Sequence, residues 1–524
     1  MKKIYFAVFA IVLVGMLIWL QKSPKNEVTK DHFRFRLTAE PPHLDWSLAT
    51  DNVSSDIIFN LMEGLVTFDH HLNVHPGLAT HWEISKDGKT YTFHIRKNVK
   101  WTDGKELTAH DFVFGWKRIL DPKTASEYAY FLFDVLNAQT FNEGKLTDFS
   151  KVGVKALSDD TLEVTLWHPA SYFLKIHTFW GTFPQRQDVV EKYGDHWTDP
   201  KNIVTLGPFK LSEWKHDYKV VLKANPNYWG NPPKLKQVTA YIVNEDSTAL
   251  SLYETGKIDL LRRIHPLVIT KYKSLPDYQH GPFLRGYYYG FNTTKKPFDD
   301  VRVRRAFSMS IDRTQFPEIL QGNQIPTSSW VPKGMFGYAP EVGLQFNPQK
   351  AQLLLAQAGY PKGENFPEVT IVYDSRDDNK VVAENLQQQW KKNLNVKLFL
   401  ENQEWKVHLR QLRDDAPHLW RLGWGADFPD PDNFLNLFTS YSGNNLTRWK
   451  NQRYDKLIEL GASEMDPQKR LSYYKEAQEI LTEKDVPIIS LFMEAQNILL
   501  KPYVKGYHIN AMGNTILKDV EIRQ

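Results

Sequence analysis

Residues 421–432 read RLGWGADFPDPD, with ENQEWK just upstream at 401–406. The chemistry this segment can do is recognition of a cation. Asp427 follows Trp424 by three residues, in a stretch too rich in Gly and Pro for a helix. A carboxylate behind an indole and two small residues suits an ammonium held against an extended backbone. Gly425 admits a second chain at close range, and Trp424 supplies a flat apolar wall. Arg421 is a nearby cation, structural or facing a carboxylate. The same residues also read as a solvated loop acid beside a core tryptophan, because loops are polar.

Other chemistries have weaker carriers. Ser212–Lys215 and Ser472–Lys475 both fit the S-x-x-K pattern of penicillin-interacting serine enzymes. Neither the companion S-D-N nor K-T-G occurs, Ser212 sits in an apparent strand and Ser472 in the middle of an expected helix, so the pattern lacks its context. His71 and His75 form an i, i+4 pair beside His70, but Asn73 and Pro76 make this a loop without further ligands at metal spacing. Asp427, Asp430 and Asp432 lack the glycine and terminal glutamate of a calcium loop.

The composition sets bounds on these readings. A chain of 524 residues exceeds one usual core, so two or three domains are expected. Basic residues number 65 against 61 acids, scattered along the chain, which argues against a nucleic-acid footprint. With no cysteine, disulfides, thiolate metal sites and a cysteine nucleophile are excluded. Lys2 and Lys3 precede an unbroken apolar run at 4–20, and no small-x-small cleavage site follows it. This favours an uncleaved membrane anchor with its N-terminus in the cytoplasm over a cleaved signal, and residues 21–31 read as a polar tether.

The elements that must hold Asp427 alternate between strand and helix patterns. Trp82 and Ile84, then Tyr91, Phe93 and Ile95, alternate about Lys86-Asp87-Gly88, a hairpin signal. Thr108 and Asp111 resemble a capping box before Phe112, Trp116 and Ile119 at helical spacing. Leu162, Val164 and Leu166 mark another half-buried strand. Asn347-Pro348 and Asp466-Pro467 open helices, Gly359 stops the first, and a strand is expected at 486–492 behind the second. Mixed elements without strict alternation predict α+β or mixed α/β lobes. Aromatic residues make up 13% of the chain. They line a sugar cleft on one reading and fill the core on another.

Several blocks resemble the bacterial oligopeptide-binding proteins, the extracytoplasmic receptors of peptide ABC transporters. AEPPHLDW at 39–46, LMEGLVTFD at 61–69, the block at 76–122, LGPFKLSEW at 206–214, NPNYWG at 225–230 and FDDVRVRRAFSMSIDR at 298–313 follow in family order. The resemblance covers nearly everything after the N-terminal segment, but the lipid-carrying cysteine of many members is missing. It implies a two-lobed periplasmic-binding-protein fold with an extra third domain. Lobe I is then discontinuous (31–63, 188–284 and 495–524), the extra domain is 64–187, lobe II is 285–494, and 1–30 is the anchor or signal.

It further implies a monomeric peptide receptor serving an inner-membrane permease, with no cofactor, no metal and no catalysis. Same-fold receptors for cell-wall peptides, oligosaccharides or metal chelates, and the serine hydrolase, are the alternatives. In the family the acid matching Asp427 takes the peptide's α-amino group. Trp424 and Gly425 then pair with its backbone, and Tyr288, the middle of a tyrosine triplet, lies near the ligand. Thr50, Asp51 and Asn52 line the peptide's edge, with Tyr128, Asn444 and Asn445 as further cleft residues. Arg262 and Arg263 replace neutral amides and read either as carboxylate readers or as a solvated basic pair. Asn379 stands where some members carry a basic carboxylate-reading residue.

Overall fold

The structure is a computed structural model and describes residues 30–523 apart from His70, Arg263 and His265. The apolar run at 4–20 lies outside the described residues. Among those described, no helix is long and apolar enough to cross a membrane.

Two long strands, Tyr278–Phe291 and Ile488–Leu500, pair antiparallel and organise the chain. The first is rich in aromatic residues and the second in Ile and Leu, which suit a pleated, buried surface. On one side they lead through Leu260–Arg262 to His32–Leu37, Gln237–Ile242, Lys219–Ala224 and Phe209–Lys215. On the other, Tyr278–Phe291 carries Leu419–Gly425, then Thr370–Asp374 and Phe399–Gln403. With Ile325–Pro326 beside Ile488–Leu500, the sheet has eleven strands among the described residues. Parallel and antiparallel pairs mix within it, giving the mixed α/β architecture expected from the sequence. The ladder between the long strands runs to Pro282↔Ala495 and resumes at Gly286↔Met493. Residues 283–285 and Glu494 therefore form an irregular joint between two groups of strands, and such irregularities bend a sheet locally.

The second group of strands is covered on both faces. Tyr287 and Tyr289 pack with Phe307, Leu386 and Trp390 on one side. Tyr288 packs with Trp330, Trp420, Phe438 and Tyr454 on the other. The alternation of the triplet is as the strand pattern predicts, but all three rings are buried. A separate four-stranded antiparallel sheet runs Ala79–Ile84, Thr90–Ile95, Thr161–Thr165, Val154–Ser158, and its first two strands form the expected hairpin.

The helix signals also hold. Thr108 and Asp111 form a capping box on Ala109–Leu120. Asn347 caps Pro348–Gln357 by accepting from the Lys350 amide, and Asp466 caps Pro467–Glu479 in the same way. Gly359 takes a left-handed φ of 100° just after the first of these, as a helix stop requires. The strand behind the second runs past the expected 492 to Leu500, because its far half pairs with residues 278–282.

One close contact gives a test of this packing. A Cβ on Gly290 would lie 2.3 Å from the Trp420 ring, which is itself fully buried. Gly290→Ala is expected to cost about 1–3 kcal/mol, the scale of core overpacking, read as a lower urea midpoint.

Candidate functional site

Leu419–Gly425 pairs antiparallel with residues 285–291 along its whole length, but with Thr370–Asp374 only at Leu419 and Trp420. Beyond Trp420 the parallel partner splays away. The Arg421 carbonyl faces that side, where it accepts from His408 Nε2 at 2.9 Å. Residues two apart on a strand turn their backbone groups the same way, so Gly423 and Gly425 present N–H and C=O to the opened edge. The segment read from sequence as a loop is thus a strand ending in a loop. Its glycines give another chain access to a sheet edge.

Asp427 sits just past this edge. Its backbone amide donates to Asn433 Oδ1 at 3.0 Å, and Trp424 Nε1 donates to the same oxygen at 3.2 Å. Asn433 Nδ2 lies 3.5 Å from Asp427 Oδ2. Asn433 is therefore the residue that fixes both the indole and the acid, and sequence reading missed it. Burial pushes the Asp427 carboxyl up to about 6, against the lowering effect of hydrogen bonds from Asn433 and Tyr130. Both partners are neutral. Asp430, three residues on, is instead clamped by Lys175 Nζ at 2.9 Å and Arg470 Nη2 at 2.6 Å, and its carboxyl is held low by these cations despite burial.

The cleft beside Asp427 has a volume near 330 Å³, and Thr50, Asn52, Tyr128 and Ala426 line it with Asp427. Phe179 and Trp180 supply apolar wall, and residues of the C-terminal segment such as Asn510 and Asn514 close one side. Thr50, Asn52 and Tyr128 are thus brought together with Asp427. Asp51 is instead a helix cap: its carboxylate accepts from the amides of Val53 and Ser54 at 2.9 and 2.8 Å.

A second cavity, near 240 Å³, lies at the other end of the strand among Arg285, Asp374, Ser375, Arg376, Trp405 and Arg421. Arg421 is buried, with Nη1 on Asp374 at 2.9 Å and its guanidinium 4.2 Å from the Tyr287 ring centroid. Its Nε and Nη2 have no hydrogen-bond partner. Arg285 and Arg376 each face an acid, Glu494 and Asp378. Gly423 lies beside this group, and the tightest neighbour of a Cβ there would be the Gly286 carbonyl oxygen at 3.1 Å. Arg285, Arg376 and Trp405 come from distant segments, and no local pattern signals their convergence.

Several expected site residues are corrected by their surroundings. Tyr288 is fully buried in the core and does not line the cleft, because helices cover that sheet face. Asn379 is buried, accepting from the Tyr287 hydroxyl at 2.9 Å and donating to the Asp374 carbonyl at 3.2 Å. Asn445 is a structural residue whose amide donates to the carbonyls of Phe438, Thr439 and Trp449. Asn444 is exposed on the same loop and is not among the cleft residues. Arg262 is neither a solvated cation nor a cleft reader: it binds both Asp56 oxygens at 2.8 and 2.9 Å and also reaches Thr515 Oγ1 and the Gly513 carbonyl. Arg263 lies outside the described residues, as does His70, while His75 bonds Asp69 at 3.1 Å. In the second S-x-x-K match, Ser472 donates to the Lys469 carbonyl and Lys475 pairs with Glu341 at 2.7 Å, so that serine and lysine are engaged elsewhere.

With this geometry established, comparison identifies the relatives. The model of the bacterial extracellular solute-binding proteins, family 5 Middle, matches residues 73–445. The chain belongs to this family. The periplasmic oligopeptide-binding protein OppA of Salmonella typhimurium is 37% identical over 479 residues, 89% of this chain and 87% of that one. The probable deoxycholate-binding periplasmic protein YgiS of Escherichia coli is 34% identical, covering 91% of each chain. The solved unliganded open form of the periplasmic murein tripeptide binding protein MppA superposes with a TM-score of 0.82 at 33% identity, over 94% of this chain and 98% of that one. The two-lobed binding-protein fold follows, and members of this family are binding proteins.

The Arg262 contacts yield a prediction. Arg262→Asn leaves Asp56 buried without its cation and is expected to lower unfolding stability by about 3–5 kcal/mol. Titrations with matched Glu- and Lys-containing peptides should keep their affinity ratio, since this arginine is spent inside the fold.

Proposed function

We propose that this chain is an extracytoplasmic receptor that captures peptides between two lobes and hands them to an inner-membrane ABC permease, performing no chemistry itself. The observation that carries the reading is the half-buried Asp427, whose partners are neutral, at the end of a sheet edge opened at Gly423 and Gly425. A receptor for many sequences must draw affinity from what all peptides share. Asp427 takes the α-ammonium, and the strand edge pairs with the peptide backbone by β-augmentation. The peptide runs antiparallel to Leu419–Gly425, and the unpaired Arg421 nitrogens receive the carboxylate of a short peptide. The six residue steps from Arg421 to Asp427 span at most roughly 20 Å, which suits a peptide no longer than about six residues.

Lobe I is assigned to 31–63, 188–284 and 495–524, the extra domain to 64–187 and lobe II to 285–494. Closure is hinge motion at the irregular joint around residues 283–285 and 494. The receptor acts as a monomer, and residues 1–30 tether it to the inner membrane. Removing them should release a soluble protein that still binds peptide, checked by fractionation and calorimetry.

Asp427→Ala should weaken binding of a free-amine peptide by on the order of 2–5 kcal/mol, because it leaves the ammonium buried and unpaired. N-acetylation should cost the parent protein a similar amount in calorimetry. Unchanged affinity in both would refute the assignment. C-terminal amidation of a short peptide should cost about 1.5–3 kcal/mol, the scale of hydrogen bonds to charged groups. Deoxycholate has no cation for Asp427, and tight binding of it in place of peptides would favour the bile-acid reading suggested by the YgiS likeness.

A further inference from the structure

The small four-stranded sheet carries a side-chain cluster that peptide capture leaves unused. On the hairpin of Ala79–Ile84 and Thr90–Ile95, His81 stands directly across from His94, and Glu83 lies two residues further along the first strand. Residues two apart on a strand share a face, and opposed residues of an antiparallel pair have Cβ atoms about 4.5–5.5 Å apart. The register therefore sets two imidazoles and a carboxylate together on the outer face, while Tyr91, Phe93 and Ile95 turn to the core. A nitrogen from each histidine and a Glu83 oxygen all lie within 4.8 Å of one another.

Two further observations point to a ligand. Thr80 Oγ1 lies 3.0 Å from His81 Nδ1 and 3.1 Å from the His94 carbonyl oxygen. A hydroxyl has one proton and the carbonyl can only accept, so Thr80 donates to the carbonyl and accepts from His81 Nδ1–H. That leaves the lone pair of His81 on Nε2, with the other ring nitrogen held by an outer partner, as metal-ligating histidines are held. His94 Nε2, in turn, is a buried atom with no hydrogen-bond partner, 3.7 Å from Glu83 Oε1.

We infer that His81, Glu83 and His94 form a site for a divalent transition-metal ion, zinc(II) being the case their chemistry fits best. Two imidazole nitrogens and one carboxylate oxygen are a zinc donor set, with a fourth position open to water or to a donor from another molecule. Calcium and magnesium prefer shells of oxygen alone. With bonds of roughly 2.0–2.1 Å, tetrahedral ligand atoms lie about 3.3 Å apart, so the cluster must contract by up to about 1.5 Å. The imidazoles now stack, with centroids 4.1 Å apart and planes 10° apart. Their lone pairs must rotate to converge, and His81 and Glu83 are exposed enough to do so. None of the three residues lines the peptide cleft, so metal and peptide bind independently.

The test is a zinc titration of the full chain, stripped with a chelator, in competition with a chromogenic zinc indicator at neutral pH. Cobalt(II) absorption reports the geometry. One zinc per chain is expected, with affinity falling at least about tenfold in His81→Ala and in His94→Ala, and less in Glu83→Gln. The visible cobalt bands should vanish in the His81→Ala/His94→Ala double variant, while peptide affinity stays at the parent value. A parent chain that takes no zinc from the indicator would overturn the inference. So would zinc binding that persists unchanged in the double variant.

Discussion

Taking a carboxylate out of water costs several kcal/mol unless cations or good donors accompany it, and the cleft depends on how this chain meets that cost at two neighbouring aspartates. Asp430 is paid in full by Lys175 and Arg470, so it is a fixed part of the fold. Asp427 receives only the neutral donors Asn433 and Tyr130, and its carboxyl is lifted to about 6. The difference in partners separates a structural acid from the one proposed to receive a cation. A comparable contrast exists among the arginines: Arg262 spends its guanidinium on Asp56 and nearby oxygens, whereas Arg421 keeps two buried nitrogens unpaired.

The sheet places these groups. Because Thr370–Asp374 leaves Leu419–Gly425 after Trp420, one strand has a paired edge on one side and an open edge on the other. Gly423 and Gly425 keep that edge clear, and Asn433 fixes the acid at its end while Asp374 and the Tyr287 ring hold Arg421 at the other. The long strands carry this arrangement, with their largest irregularity around residues 283–285 and a smaller register shift between Tyr287 and Tyr288. The proposed recognition groups thus sit on or beside paired strands, and the widest break in pairing lies at the joint.

Local patterns in the sequence were enough to find the hairpin at 79–95, the capping box at Thr108 and the helices opened at Pro348 and Pro467. Asp427 and Trp424 stood out as a segment flanked by glycine and proline, but their proposed role came from the family resemblance, because the local pattern alone fits a solvated loop acid equally. Tyr288 shows where such reading stops: its strand parity is legible, but whether the face it points to is open depends on helices and loops from elsewhere in the chain. Arg262 fails for a related reason, since Asp56 lies 206 residues away and no local pattern announces the pair. Arg285 and Trp405 were missed because their roles arise from convergence of distant segments, and Asn433, only six residues past Asp427, because no sequence pattern shows the loop turning its side chain back on the acid. The chain length of the strand at Ile488–Leu500 was underestimated for the same cause, its second half being stabilised by residues 278–282.

The central claim, that a carboxyl perturbed by burial receives the ligand's ammonium, is tested most directly by counting protons. Calorimetry at a pH of about 6, in two buffers of different ionisation enthalpy, measures protons exchanged on binding a peptide with no side chain titrating nearby. Asp427 is then about half protonated when free and ionised when paired with the ammonium, so about half a proton should be released per peptide bound. The release should disappear in Asp427→Asn. Peptide binding with no proton release by the parent protein, or an equal release by the variant, would contradict the account.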